Sequence, residues 1–207
     1  ERKRPVDLEN LYLIGERSSS HLHLIPIARG SRPNPNGFRY DADLRAMAGA
    51  RGRGYKRAGR PRPKWRTPNR GEVVDLLSQR DLLPVIYFIF SRAACDEAAS
   101  SVAGSGLVLT TGDERRQIRA LAAEREQGLS PDDLEVLGYP RFLAALEAGV
   151  AAHHAGMVPP FKEAVEACFV RGLTKAVFAT ETLALGVNMP ARTVVIEKLT
   201  KFTGDHH

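Results

Sequence analysis

Three unbroken apolar runs do most to decide what this chain can fold into. They read "PVIYFIF" at residues 84–90, "KAVFAT" at 175–180 and "RTVVIE" at 192–197. A strand with one wet face alternates apolar and polar side chains. These runs do not alternate, and they are rich in β-branched and aromatic residues. Strands of that kind are buried on both faces, the mark of a parallel sheet with helices on either side. An apolar content of 43% over 207 residues is enough to cover such a sheet.

The intervening stretches supply the helices. "GEVVDLLSQRD", "RAACDEAASSVAG", "GDERRQIRALAAEREQG" and "YPRFLAALEAG" carry helical patterns. "SPDDLEVLG" reads as a short helix with Ser130 as N-cap and Pro131 in the first position. In "PPFKEAVEACFVRG", residues Phe161, Ala164, Val165, Cys168 and Phe169 fall at i, i+3, i+4, i+7 and i+8, which gives one apolar stripe. "VAAHHAG" closes a further short strand. This alternation predicts an α/β fold, a parallel sheet with helices on both faces. Ligands of such sheets bind at loops beyond the carboxyl ends of the strands.

Charge sets one region apart. Residues 29–70 hold thirteen Lys and Arg against Asp41 and Asp43, a net +11 in a chain whose total is +6. The segment is rich in Arg, Gly and Pro and has no apolar period, so it is predicted to be a disordered basic insertion suited to nucleic acid. "DADLRAMAGA" within it is read as one transient helical turn or two. Before it, "LYLIG" and "HLHLIPI" in residues 1–28 read as a hairpin, and the sheet domain is placed at 71–207. No run approaches the ~20 apolar residues of a membrane span. Cys95 and Cys168 lack metal-ligand spacing, so a reduced, cytoplasmic protein is expected, with no metal held by this chain. The start at Glu1 rather than a methionine is expected of a piece of a longer polypeptide.

Three polar loops fall on the carboxyl edge of the predicted sheet. After "PVIYFI" come Ser91 and Arg92: Ser91 is a natural N-cap, and Arg92 is placed to clamp a phosphate. After "VAA" come His153, His154 and Gly156. Adjacent histidines on a strand face opposite ways, which argues against a zinc pair, and a lone histidine is more often structural. After "KAVFA" come Thr180, Glu181 and Thr182, then Gly186, Asn188 and Pro190. Hydroxyls and N–H groups at a strand-to-helix turn suit a phosphate, although a helix cap and a glycine turn would use the same residues. "DEAA" at 96–99 looks like a magnesium-binding acidic box, but it lies inside a helix rather than at a strand end, and no G-x-x-x-x-G-K-[ST] loop occurs.

Taken together, "YFIFSRAACDEAA", "AAHHAGMVPPFKEAVEACFVRGLTKAVFATETLALGVNMPARTVV" and "EKLTKFTG" resemble the second RecA-like domain of superfamily 2 DExH RNA helicases. Within that group they are similar to the superkiller type, whose eukaryotic members feed RNA to the exosome, and most of all to its actinobacterial members. "RPVDLENLYLIG" resembles the strand that enters this domain, so the likeness covers 1–28 and about 71–204. The resemblance implies a fragment of an ATP-dependent RNA helicase, with ATP and Mg²⁺ in the cleft between two RecA-like domains. It places Ser91 and Arg92 in the fourth motif, and His153, His154 and Gly156 in the loop after it. Thr180, Glu181 and Thr182 would touch the RNA backbone, and Gly186 and Asn188 would line the ATP cleft. The partners implied are RNA (with DNA as the other candidate), the first RecA-like domain and RNA-degradation machinery. The phosphate loop, acidic box and sixth motif are missing here, so the chain by itself is expected to be inactive. A non-enzymatic nucleic-acid-binding module with a RecA-like fold and a basic arm is the alternative.

Overall fold

A computed structural model describes residues 8–30, 32–36, 64–181, 183 and 189–197. The chain divides into two compact units, Glu1–Asn69 and Arg70–His207.

The second unit is built on four strands, β6 (Val85–Phe88), β7 (Val150–His153), β8 (Ala176–Ala179) and β9 (Thr193–Ile196). They lie side by side in the order β7-β8-β6-β9, and every neighbouring pair is parallel. Among the described residues, six helices connect and cover them: α1 (Arg70–Gln79), α2 (Arg92–Gly104), α3 (Gly112–Arg125), α4 (Pro131–Val136), α5 (Tyr139–Glu147) and α6 (Pro159–Val170). The expected α/β architecture is therefore present.

The two-residue period of a strand sorts the sheet's side chains into two layers. Ile86, Ala151, Val177 and Ala179 share one face. They form a single core with Ile118 and Leu121 of α3, Leu146 of α5, and Ala164, Val165, Cys168 and Phe169 of α6. The stripe read from "PPFKEAVEACFVRG" is the buried face of α6. Val85, Tyr87, Val150 and Phe178 point the other way, and Tyr87 and Phe178 bring their rings to 5.2 Å. There α2 packs on β7 and β8 through Cys95, Ala98, Ala99 and Val102, with α1 beside it. Fully burying a phenylalanine such as Phe169 or Phe178 stabilises the fold by roughly 1.5–3 kcal/mol.

One strand departs from expectation. "RTVVIE" reads as buried on both faces, yet Val194 and Ile196 are 55% and 51% exposed. The reason is position. Among the described residues, β9 pairs with β6 on one side and ends the sheet on the other, and the helices of the α3–α6 layer do not reach over it.

Register places the site. Phe88 stands level with Ala179 and Ile196, and Ala179 with His153. The four strands thus stop on one line, and their next residues emerge from the same edge. Gly149 delivers β7 to that edge. Its φ of +84° closes the turn after α5, and its carbonyl accepts from the N–H groups of Lys175 (2.7 Å) and Ala176 (3.0 Å). Capping fixes α3 and α4: Thr111 and Glu114, and Ser130 and Asp133, form reciprocal capping boxes.

The first unit contains the hairpin of β1 (Leu11–Glu16) and β2 (Leu22–Pro26), antiparallel from Leu11↔Pro26 to Gly15↔Leu22. Residues 29–70, read from sequence as mostly disordered, hold ordered pieces at both ends of that segment. Ala28–Arg29 (β3) pairs with Arg32–Pro33 (β4), and buried Asn34 anchors the chain just beyond β4 by donating from Nδ2 to the Pro26 carbonyl at 2.7 Å. Trp65–Arg66 (β5) joins the far edge of β1. Trp65 meets His23 edge-on at 5.3 Å, and Lys64 reaches over the Trp65 ring at 4.8 Å while pairing with Glu16 at 3.3 Å. A compositional argument misses such anchors, which depend on contacts; β5 in particular needs a strand partner far away in sequence. "DADLRAMAGA" falls outside the described residues.

Candidate functional site

The carboxyl edge assembles from three strand ends. Ile89 donates its N–H to Ala179 at 2.8 Å, and Thr180 donates to His153 at 3.3 Å, so the loops after β6, β8 and β7 are stitched side by side.

After β6, Ser91 takes the extended conformation that an N-cap needs, and its Oγ accepts from the Ala94 N–H at 3.3 Å. Arg92 opens α2 and is exposed. Among the described residues its side chain makes no ion pair or hydrogen bond. After β8, Thr180 is buried and its carbonyl accepts from Leu183 N–H at 3.2 Å, which starts a short 3-10 turn with Glu181 exposed on it. Thr182, Gly186 and Asn188 lie outside the described residues.

After β7, the adjacent histidines diverge as a strand requires, and both rings are buried. His153 is 2% exposed and its Nε2 lies 2.8 Å from Glu166 Oε1 on α6; its Nδ1 is buried with no hydrogen-bond partner among the described residues. His154, 5% exposed, turns to the opposite layer, where its Nε2 lies 2.9 Å from Asp96 Oδ1 on α2. Its Nδ1 accepts from the Gly156 N–H at 3.2 Å, so the ring proton sits on Nε2 and is donated to Asp96. Gly156 is held closely: a Cβ there would stand 3.3 Å from His154 Nδ1 and 3.4 Å from Arg92 Cδ. The structure therefore brings Ser91, Arg92, His154 and Gly156 into one cluster, with Thr180 alongside. Neither histidine ring stands at the surface as a ligand contact.

Four participants escape a reading of the sequence. Asp96, which there looks only like a misplaced acidic box, is the partner of His154. Glu166 is the partner of His153. Arg70 and Glu197 close the end of β9 with a two-pronged ion pair, Nε to Oε2 at 3.0 Å and Nη2 to Oε1 at 3.2 Å. Only Asp96 left a local signal, its i+4 spacing from Arg92 on one helix. Cys95 lies beneath this edge. Burial above all, and then the neighbouring Asp96 carboxylate, push its thiol up to about 12. It is a packing residue whose Sγ donates to the Ile89 carbonyl. Among the described residues, no group of three His, Cys, Asp or Glu could hold a metal ion, and no helix is long and apolar enough to cross a membrane.

No protein-family model matches the chain. Individual proteins do. The probable helicase HelY of Mycobacterium tuberculosis is 46% identical over 212 residues, which cover 99% of this chain and 23% of that protein. The human superkiller complex protein 2 is 35% identical over 209 residues, covering 97% of this chain and 16% of that protein. The Arabidopsis thaliana DExH-box ATP-dependent RNA helicase DExH11 is 41% identical over 132 residues, or 64% of this chain and 10% of that protein. The chain thus spans under a quarter of the length of these curated relatives. Similarity across nearly the whole of this chain to HelY and to the superkiller complex protein 2, on a parallel sheet whose strand ends gather these motifs, means that the chain belongs to the superkiller-type DExH-box helicases, as a RecA-like segment of one.

Proposed function

We propose that the carboxyl edge of this sheet grips the backbone of an RNA strand in an ATP-dependent RNA helicase, as part of its second RecA-like domain. One observation carries the reading. Arg92 is exposed and unpaired among the described residues, beside the Gly156 backbone, on the edge where the loops after β6, β7 and β8 are stitched together. Such a cation beside a tight backbone turn suits a phosphodiester. Ser91 fixes the first turn of α2, and the two histidines act from beneath by holding their loop. Thr180, Glu181 and Thr182 complete the contact.

ATP with Mg²⁺ belongs between this domain and the first RecA-like domain of the same polypeptide, with Gly186 and Asn188 facing it. The described residues fit neither triphosphate nor metal by themselves: no phosphate loop is present in the sequence, and no acidic cluster forms. This chain alone is therefore proposed to be without ATPase activity. In the cytoplasm the full-length protein would pass RNA to degradation machinery.

The test uses the full-length helicase. Arg92→Gln is expected to weaken single-stranded RNA binding about tenfold, the size of one charge-assisted contact, and to reduce RNA-stimulated ATP turnover at subsaturating RNA. Binding equal to wild type would refute the phosphate contact. A parallel titration with DNA of the same sequence separates an RNA helicase from one indifferent to the sugar.

A further inference from the structure

Arg92 and Asp96 stand four residues apart on α2, a spacing that normally lets opposite charges pair along a helix face. They do not pair here. The Asp96 carboxylate turns to His154, 2.9 Å away, and Arg92 is left without an ion pair among the described residues. An arginine neutralised by its own helix would be a poor phosphate ligand, so what keeps Asp96 away from it matters.

We propose that Asp96 is a positioning residue for Arg92, held through the buried ring of His154 so that the guanidinium stays available to a backbone phosphate. This rests on the phosphate contact proposed for Arg92. The hold is specific in its chemistry. The Gly156 N–H occupies His154 Nδ1, which fixes the proton on Nε2 and aims the ring's one donor at Asp96. His154 is 6% exposed in its side chain, so the ring has no room to swing, whereas the Asp96 side chain is 58% exposed and free to reach Arg92 once released. The same hydrogen bonds seat Gly156 against the Arg92 stem, at 3.4 Å from Cδ for a Cβ built there, which steadies the side chain along the loop. One histidine therefore restrains both the competing carboxylate and the backbone beneath the arginine.

The experiment measures single-stranded RNA affinity by fluorescence anisotropy on the full-length helicase, with thermal melting as a folding control. His154→Phe keeps a flat aromatic ring at the site but frees Asp96, and affinity should fall about as far as in Arg92→Gln, roughly tenfold. His154→Phe with Asp96→Asn removes the freed charge, and affinity should return to within about threefold of wild type. Asp96→Asn alone still accepts from Nε2–H and removes one negative charge near the phosphate, so it should tighten binding by about threefold. If the double variant stays as weak as His154→Phe, the histidine merely shapes the loop, and the inference is overturned while the Arg92 contact stands. If Asp96→Asn weakens binding, the inference is overturned without any question of misfolding. If Arg92→Gln binds as wild type does, the phosphate contact fails first and the inference falls with it.

Discussion

Replacing Gly149 by alanine should be far more damaging than the same change at another glycine of equal backbone conformation. Gly149 has φ +84° and Gly106 has φ +82°, so an L side chain carries the same left-handed penalty at each, about 1–2 kcal/mol. Their surroundings differ. Nothing lies within 4 Å of a Cβ built on Gly106, whereas one on Gly149 would meet Thr110 Cγ2 at 3.0 Å, Leu109 Cβ at 3.2 Å and Lys175 Cγ at 3.3 Å. The Leu109 contact is to a Cβ, which moves only with its backbone, and that backbone is held by the Leu109 N–H to Ala148 carbonyl bond of 2.9 Å. Overpacking of that kind costs typically about 1–3 kcal/mol. Gly106→Ala should therefore lower stability by about 1–2 kcal/mol and Gly149→Ala by about 2–5 kcal/mol. Against a typical total of about 5–15 kcal/mol, the second is a large fraction. Urea titration of the purified 207-residue chain, followed by far-UV circular dichroism, reads both values. Equal losses for the two variants would refute the reasoning, because they would mean that the crowded turn into β7 yields without cost.

Burial pushes the Cys95 and Cys168 thiols up to about 12 and about 11, so a thiol reagent at mildly alkaline pH should label neither until the chain unfolds, and rapid labelling of the native protein would contradict their packing. Burial raises the Glu114 carboxyl, but its bonds to the Lys175 ammonium at 2.7 Å and to the Thr111 N–H outweigh this and hold it below its ordinary 4.5. A depressed folded-state value gives stability that is present above 4.5 and lost as pH falls through the lower folded value. Glu114→Gln should therefore flatten the acid limb of a stability–pH profile, and an unchanged limb would show that the pair contributes nothing. Residues 37–63 carry eight Lys and Arg. If about five of them meet phosphates of single-stranded RNA, the log–log salt slope should be about −3.5, a loss of roughly a hundredfold between about 50 and 200 mM salt. Removing 37–63 alone should remove that slope, and a salt-independent affinity in the intact chain would count against the basic arm.

The parallel sheet was legible because buried strands write continuous apolar runs, and the α6 stripe because helical spacing is local. β9 was misjudged for a reason that periodicity cannot supply. "RTVVIE" and "KAVFAT" both hold a continuous apolar run, but among the described residues one ends the sheet and the other lies inside it. The polar loops were found as loops, yet their wiring was not. His154 and Asp96 are 58 residues apart, and nothing in either neighbourhood marks the other. The pairing arises only when β7 and α2 are laid together. Similarly, Trp65 sits in a stretch whose composition argues against structure, and it gains order from His23 and from β1, both distant in sequence.

The open side of β9 also governs how this chain behaves in a tube. Val194 and Ile196 present two aliphatic side chains on a terminal strand, and among the described residues no further strand caps its outer row of N–H and C=O groups. A bare strand edge of this kind is a template on which another copy can lay a strand of its own. The apparent mass from light scattering should therefore rise with protein concentration, and Val194→Lys, which puts a charge on the exposed face of that terminal strand, should hold it down without disturbing the helix layers or the loops at the strand ends.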